Sequence, residues 1–186
     1  DWMNKGGSYE EAAVLYRSNA QSRAIEEALL RVSIPYRIYG GLRFYERLEI
    51  KNAIAYLKVI FNNSDNPSFE RSISNPTRGV GEKTLAKIRN AAKQYNISYI
   101  KASAKLIDEG SISGRGGSGL RDYLEFIAGC KSFIEENLLS ELMELIIKES
   151  GLYAYHAKEP GEKGKTRTEN LDCLLYTSDA ADESVG

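Results

Sequence analysis

Apolar residues recur at helical spacing over most of this 186-residue chain, from about Glu46 onward. The stretches that show this are Ile50, Ile54, Leu57 and Phe61; Leu85, Ile88 and Ala92; and "LLSELMELIIKESG", which stops at Gly151. Such spacing is typical of helices with one buried face, and a glycine often follows the last helical turn. The pattern predicts an all-helical region, with "GSISGRGGSG" at 110–119 as a flexible joint inside it.

The chain before Glu46 has a different pattern. The run from Ala13 to Tyr16 is short, apolar and unbroken, which is typical of a strand buried on both faces of a parallel sheet. A helical pattern follows, and then "YRIYGG" resembles a second short strand. Strand, helix and strand predict part of an α/β domain with too few strands to close a sheet. The predicted fold class is therefore mainly α, with a short α/β stub followed by a helical subdomain, as expected of a fragment.

Composition argues against several classes of function. The chain is 42% apolar and 27% charged, as in ordinary soluble domains, and no run is long enough to cross a membrane, so we expect a cytoplasmic protein without a membrane partner. The lone histidine, His156, and the widely separated Cys130 and Cys173 argue against a metal site or a catalytic triad. We expect His156 at the surface and the cysteines as two buried, unpaired thiols.

The charge is unevenly distributed. Residues 1–105 hold 17 Lys and Arg against 10 Asp and Glu, whereas residues 106–186 hold 8 against 16. This asymmetry either indicates a polyanionic partner for the first half or reflects solvated helix surfaces. The cluster Glu46, Arg47, Glu49 and Lys51 fits a solvated ion-pair network.

The stretch "NPTRGVGEKTL", residues 75–85, carries the strongest chemical signal. A nucleotide P-loop needs its second glycine directly before the lysine and a strand before the loop, but here Glu82 intervenes and a helical pattern precedes. What remains is a Gly-apolar-Gly hairpin between two helices, where glycines let backbone N–H groups approach an anion. It is either a phosphate site or a turn whose glycines serve tight packing alone.

Four segments in this order resemble one protein family: "AVLYRSNAQSRAIEEALL", "IPYRIYGGLRFYERLEIKNAIAYLKVI", "NPTRGVGEKTL" and "GEKGKTRTENLD". They are similar to the UvrD/Rep/PcrA helicases of superfamily 1, and the resemblance runs to about Asp172. It implies a parent protein that is an ATP-dependent 3′–5′ DNA helicase acting in repair or replication. It also implies that residues 1–42 are part of the second RecA-like domain and that residues 43–172 form the helical accessory subdomain inserted there.

The resemblance also implies roles for particular residues. Single-stranded DNA contacts are expected at Arg17, Ser18, Asn19, Gln21 and Arg43. Duplex contacts are expected at Thr77, Arg78, Gly79, Val80, Gly81, Lys83 and Thr84, and a hinge at Gly40 and Gly41. The chemistry is suitable, since a guanidinium can bind phosphate through two hydrogen bonds and an amide can contact a base.

The motifs that bind ATP and Mg²⁺ in these helicases are absent from this sequence. The resemblance therefore places ATP and Mg²⁺ in the parent, with no cofactor, metal site or catalytic residue here, and we expect no ATP hydrolysis by this chain alone. DNA, single-stranded and duplex, is the expected partner, with repair proteins as further candidates. Residues 173–186, "CLLYTSDAADESVG", depart from the family and are expected to be a non-native or disordered tail.

Two other interpretations stay open at the level of sequence. The chain could be a stand-alone helical module that binds duplex DNA through the hairpin without a motor. It could also be a protein-interaction domain that uses its acidic second half.

Overall fold

The computed structural model describes residues 8–17, 19–39 and 43–182. These residues belong to two compact units, Asp1–Arg47 and Leu48–Gly186. The helices are α1 Asn19–Arg31, α2 Leu48–Phe61, α3 Asn66–Ser74, α4 Glu82–Tyr95, α5 Tyr99–Asp108, α6 Gly114–Ile134, α7 Leu139–Glu149, α8 Leu152–Ala157 and α9 Glu162–Asp182. The predicted mainly α class is confirmed. The predicted domain boundary at residue 42 lies a few residues before the division at Arg47.

In the first unit, a buried carboxylate joins α1 to the segments that follow it. Glu26, 5% exposed, accepts hydrogen bonds from Ser22 Oγ at 2.9 Å, Tyr36 OH at 3.1 Å and the Phe44 N–H at 3.3 Å. Arg47 donates to Ser22 Oγ at 2.8 Å, and its guanidinium lies 5.3 Å from the centre of the Phe44 ring. A carboxylate can be buried when its oxygens are hydrogen-bonded in this way.

The two predicted strands are not formed in the described residues of this unit. Residues 12–16 and 34–38 have no regular secondary structure, and Leu15 is 94% exposed. A strand is stabilised by hydrogen bonds to its neighbours, and two short strands are at most marginally stable together. An apolar run can therefore have the composition of a buried strand and still not form one.

The second unit contains α2 to α9, and residues of α2 to α7 form its main hydrophobic cluster. Asp65 accepts a hydrogen bond from the Ser68 N–H at 3.0 Å and so caps α3, while Asn96, with φ 52°, ends α4 in the left-handed conformation. Aromatic side chains fill the centre. The Phe69 ring packs edge-on against Tyr123 with centroids 5.5 Å apart. Ile88 and Leu120 are fully buried in the same cluster.

The glycine-rich segment is not the predicted flexible joint. Residues 114–119 form the first turns of α6, which continues to Ile134. Ile112, 6% exposed, packs into the core just before the helix begins. A Cβ at Gly117 would lie 2.9 Å from the Ile112 backbone oxygen. Glycine here permits close packing, so its presence does not indicate flexibility.

A buried polar network connects α2, α8 and α9. Asn170 donates to Glu49 Oε1 at 2.6 Å, Arg167 Nε lies 3.6 Å from Glu49 Oε2, and Arg167 also pairs with Glu159. His156 Nδ1 lies 2.7 Å from Glu159 Oε1, and the histidine is fully buried. The prediction of a surface His156 is therefore wrong, as is that of a solvated cluster for Arg47 and Glu49, which are 8% and 3% exposed.

Other expectations concern cysteines, metals and membranes. Cys130 is a free, buried thiol, and Cys173 is half-buried. Among the described residues, no group of three or more His, Cys, Asp and Glu side chains could hold a metal ion. None of the helices in the described ranges is both long and apolar enough to cross a bilayer.

Helix α9 extends into the segment expected to be a tail. It runs to Asp182, and on its inner side Leu171 and Leu174 are 0% and 5% exposed. The expectation of disorder therefore does not hold for residues 173–175, which continue the packed helix. Whether residues 173–186 are native stays a prediction.

Truncation of α9 tests this packing. We expect removal of residues 173–186 to lower the free energy of unfolding by about 2 kcal/mol or more, because deleting a buried leucine side chain costs about 2–5 kcal/mol. Removal of residues 176–186 keeps Leu174 and is the matched control. Urea unfolding measures both. Equal stability of the two truncated chains would show that Leu174 contributes nothing.

The Glu159 carboxylate should make stability depend on pH. Its pKa lies below the ordinary value, chiefly through the hydrogen bond to His156 and then through Arg167. A lowered pKa stabilises the fold above the ordinary carboxyl range of about 4.3, and this stabilisation is lost as pH falls through the lowered pKa. We expect Glu159→Gln to destabilise the chain at neutral pH more than in acid, measured by urea unfolding. The exposed Glu162→Gln is the control, and a loss independent of pH would contradict the expectation.

Candidate nucleic-acid interface

The predicted duplex-binding residues lie in the hairpin that connects α3 to α4, residues 75–84. Thr77, Gly79, Gly81 and Lys83 are exposed, whereas Arg78, Val80 and Thr84 are half-buried. Val80 packs against the hydrophobic core. Gly81 is the N-cap of α4, and its carbonyl accepts from the Thr84 N–H at 2.9 Å. The hairpin therefore presents its glycines and the start of α4 to solvent while its apolar residue anchors it.

Arg78 points into the protein and has a structural role that sequence reasoning missed. Nη1 donates to the Ser72 and Pro76 carbonyls at 3.1 and 2.9 Å, and Nη2 donates to the Ser150 carbonyl at 2.8 Å. The guanidinium carbon lies 5.6 Å from the centre of the Tyr56 ring and 5.5 Å from that of Tyr123. A guanidinium used in this way positions the hairpin from behind, and a direct contact of Arg78 with phosphate stays a prediction.

Two tyrosines complete the support behind the hairpin. Tyr56 OH donates to the Ser72 and Asn75 carbonyls, both at 2.9 Å, and Tyr123 OH shares a 2.6 Å hydrogen bond with Ser72 Oγ. Burial raises the pKa of Tyr56 to about 12, with Arg78 acting against the shift, and burial also raises the pKa of Tyr123. Both phenols stay protonated at neutral pH, and Tyr56 acts as a hydrogen-bond donor.

The two glycines of the hairpin have different reasons to be glycine. Gly79 has φ +74°, a conformation that L side chains rarely adopt, and a Cβ there would lie 3.0 Å from Arg115 Cγ. Gly81 has φ −93° and ψ 177°, and a Cβ there would meet nothing within 4 Å. Of the two hairpin glycines, only Gly79 therefore has the positive φ that requires glycine. The absence of a side chain at Gly81 leaves open space in front of the backbone.

The first turns of α6 pack against the hairpin, a contact that sequence reasoning missed. A Cβ at Gly116 would lie 3.1 Å from the Gly79 carbonyl oxygen, and one at Gly119 only 1.9 Å from that of Arg78. Gly116 and Gly119 are three residues apart and therefore lie on one side of the helix. That spacing was a usable signal, since small residues at i and i+3 on a helix permit a close backbone approach.

The predicted single-strand contacts belong to the first unit. Arg17 is exposed, and its N–H donates to Gln21 Oε1 at 2.9 Å, so the Gln21 amide has a local structural role. Arg43 is exposed with its guanidinium carbon 5.2 Å from the centre of the Tyr36 ring. Asn19 is the first residue of α1. Ser18, the Asn19 side chain and the predicted hinge Gly40 and Gly41 lie outside the described residues.

Replacing Arg78 tests its structural role. We expect Arg78→Ala to lower the free energy of unfolding by at least about 2 kcal/mol, because a buried acceptor left unpaired costs about 1–3 kcal/mol. Arg121→Ala, on the exposed side of α6, is the control and should change little. Thermal and urea unfolding measure the loss. If Arg78→Ala is as stable as the unmodified chain but binds DNA less tightly, Arg78 contacts DNA directly and its structural role is minor.

Comparison with known proteins agrees with the resemblance seen in the sequence. The UvrD-like helicase C-terminal domain family matches residues 1–110, which include the hairpin. DNA helicase II of Escherichia coli is 44% identical over 94% of this chain, and DNA helicase II of Haemophilus influenzae is 46% identical over 94%. ATP-dependent DNA helicase PcrA of Leuconostoc citreum is 36% identical over 95%. The chain spans 24% of the length of each of these relatives. With more than half of its length matched, the chain belongs to the UvrD-like helicase family, in the region of the C-terminal domain.

Proposed function

We propose that this chain is part of an ATP-dependent DNA helicase that moves 3′ to 5′ on single-stranded DNA, and that its α3–α4 hairpin binds the backbone of duplex DNA. Membership of the UvrD-like family supports the parent activity, as do relatives named DNA helicase II and ATP-dependent DNA helicase PcrA. The observation that carries the duplex proposal is the hairpin itself. Its side chains with structural roles point inward, and its glycine backbone faces solvent.

The exposed groups of the hairpin suit a phosphate. In the described part of the chain, the N–H groups of Gly81, Glu82 and Lys83 have no hydrogen-bond acceptor, as expected at a helix start. Backbone donors at a helix N-terminus favour an anion, and Lys83 and the Thr77 hydroxyl add charge and a further donor. Contacts of this kind hold a duplex without reading its sequence.

The first unit would contact the single strand. Arg17, Ser18, Asn19, Gln21 and Arg43 are the proposed residues, with Gly40 and Gly41 as a proposed hinge. Because the Gln21 side chain accepts from the Arg17 backbone, it would act by fixing the local backbone before α1. ATP and Mg²⁺ would be held by parts of the parent outside this chain, and repair proteins are proposed partners of the parent.

Duplex binding by the 186-residue chain tests the proposal. We expect a dissociation constant on the order of 10⁻⁴ to 10⁻⁶ M at physiological salt, with no sequence preference and a steep loss of affinity as salt rises. Lys83→Ala should weaken binding to all duplexes alike and reduce the salt slope by about one. Fluorescence anisotropy with labelled duplexes at several salt concentrations measures both.

Gly81→Val is the more discriminating variant. A side chain there has room in the free protein, so the fold should be intact, but it would fill the space in front of the exposed backbone donors and lower duplex affinity. Lys58→Ala, which removes an exposed lysine of α2, is the control for charge. The hairpin does not bind the duplex if Lys83→Ala and Lys58→Ala lose affinity equally and Gly81→Val binds like the unmodified chain.

A further inference from the structure

The side chain of Arg115 lies across the hairpin. Arg115 is the second residue of α6, and its Cγ and Cδ would lie 3.0 and 3.4 Å from a Cβ at Gly79. Its backbone oxygen would lie 3.4 Å from the same point. The missing side chain at Gly79 therefore makes room for the aliphatic part of Arg115. This contact fixes the position of the aliphatic part of the Arg115 side chain next to the exposed backbone of residues 79–81.

Most other basic side chains near the hairpin are already engaged. Arg78 binds backbone carbonyls, and Arg89 binds Glu70 through two hydrogen bonds of 2.6 Å and Glu82 through one of 2.5 Å. Lys87 Nζ donates to the Ser111 carbonyl at 2.9 Å. The Arg89 pair also offsets the charge of Glu82, the acidic residue at the start of α4. The negative charge at the start of α4 is therefore balanced next to the hairpin.

Arg115 and Lys83 are the basic residues of this surface that stay available. Both are exposed, and within the described ranges neither side chain has a hydrogen-bonding or ionic partner. They come from different helices, since Lys83 is in the first turn of α4 and Arg115 in the first turn of α6. Two such cations, placed by a fixed backbone contact, can bind successive phosphates with little loss of backbone freedom on binding.

We propose that Arg115 is a second phosphate ligand for duplex DNA, so that the binding surface is composite and consists of the α3–α4 hairpin and the first turn of α6. The proposal rests on the duplex-binding function proposed above. It adds a residue beyond the part of the chain that the helicase C-terminal domain family matches, which ends at residue 110. A guanidinium can bind a phosphate through two parallel hydrogen bonds, which suits a ligand that must hold a backbone in one orientation.

The glycines of α6 have a positioning role in this surface. Gly116 lies against the Gly79 carbonyl, and a Cβ at Gly116 would also lie 3.6 Å from Thr84 Oγ1. The first turn of α6 thus packs against both Gly79 and Thr84. A change in the hairpin conformation would displace Arg115 with it, and the two cations would move as one surface.

Arg115→Met tests the proposal, since methionine keeps an unbranched stem on Gly79 and removes the charge. We expect the salt slope of duplex binding to fall by about 0.9 and the affinity to fall about fivefold at 0.15 M salt, as for one lost phosphate contact. Arg121→Met, on the same helix and also exposed, is the matched control and should bind like the unmodified chain. Thermal unfolding of each variant establishes that the fold is intact.

If Lys83→Ala loses affinity and Arg115→Met does not, the composite surface is wrong while the hairpin function stands. If neither variant loses affinity, the proposed duplex function fails, and the role of Arg115 fails with it.

Discussion

The interaction on which the second unit depends is the inward placement of Arg78. Its guanidinium carbon lies 5.6 Å from the centre of the Tyr56 ring and 5.5 Å from that of Tyr123. The guanidinium binds the carbonyls of Ser72 and Pro76 and that of Ser150, which lies more distant in the sequence. An arginine can do this because its planar group offers several donors in fixed directions and also packs on aromatic faces. A lysine lacks the planar group and its fixed donor directions. The end of α3, the hairpin and the turn before α8 are thereby connected through one side chain.

This placement determines what the hairpin can present to a partner. With Arg78 and Val80 directed inward, the outward surface consists of glycine backbone, the start of α4 and the side chains of Thr77 and Lys83. A surface of backbone donors and one or two cations suits a repeated anion with no sequence information, such as a nucleic-acid backbone. The rigid support behind it reduces the conformational entropy lost on binding.

Both units also contain buried charged side chains. Glu26 in the first unit and Glu49 in the second are almost fully buried, and each is satisfied by side chains from other segments. His156 and Arg167 belong to the same kind of arrangement around Glu159. Sequence reasoning assigned His156, Arg47 and Glu49 to the surface because charged side chains mostly are exposed. Arg47 and Glu49 bind Ser22 and Asn170, and the second pair is 121 residues apart in sequence, so no local pattern shows it. His156 binds the nearby Glu159, but its burial depends on tertiary packing.

The sequence by itself determined the helical region, the family and the position of the hairpin, because helix periodicity and glycine spacing are local properties. It did not determine that Arg78 points inward or that Gly79 is the glycine with positive φ. Nor did it determine that the Arg115 side chain packs on Gly79, since all three depend on which segments meet in space. The strand prediction at residues 13–16 was wrong for the same reason. A strand exists only with a partner, and a short apolar run does not specify one. Tertiary packing alone decided which of the basic residues face inward and which remain available to a ligand.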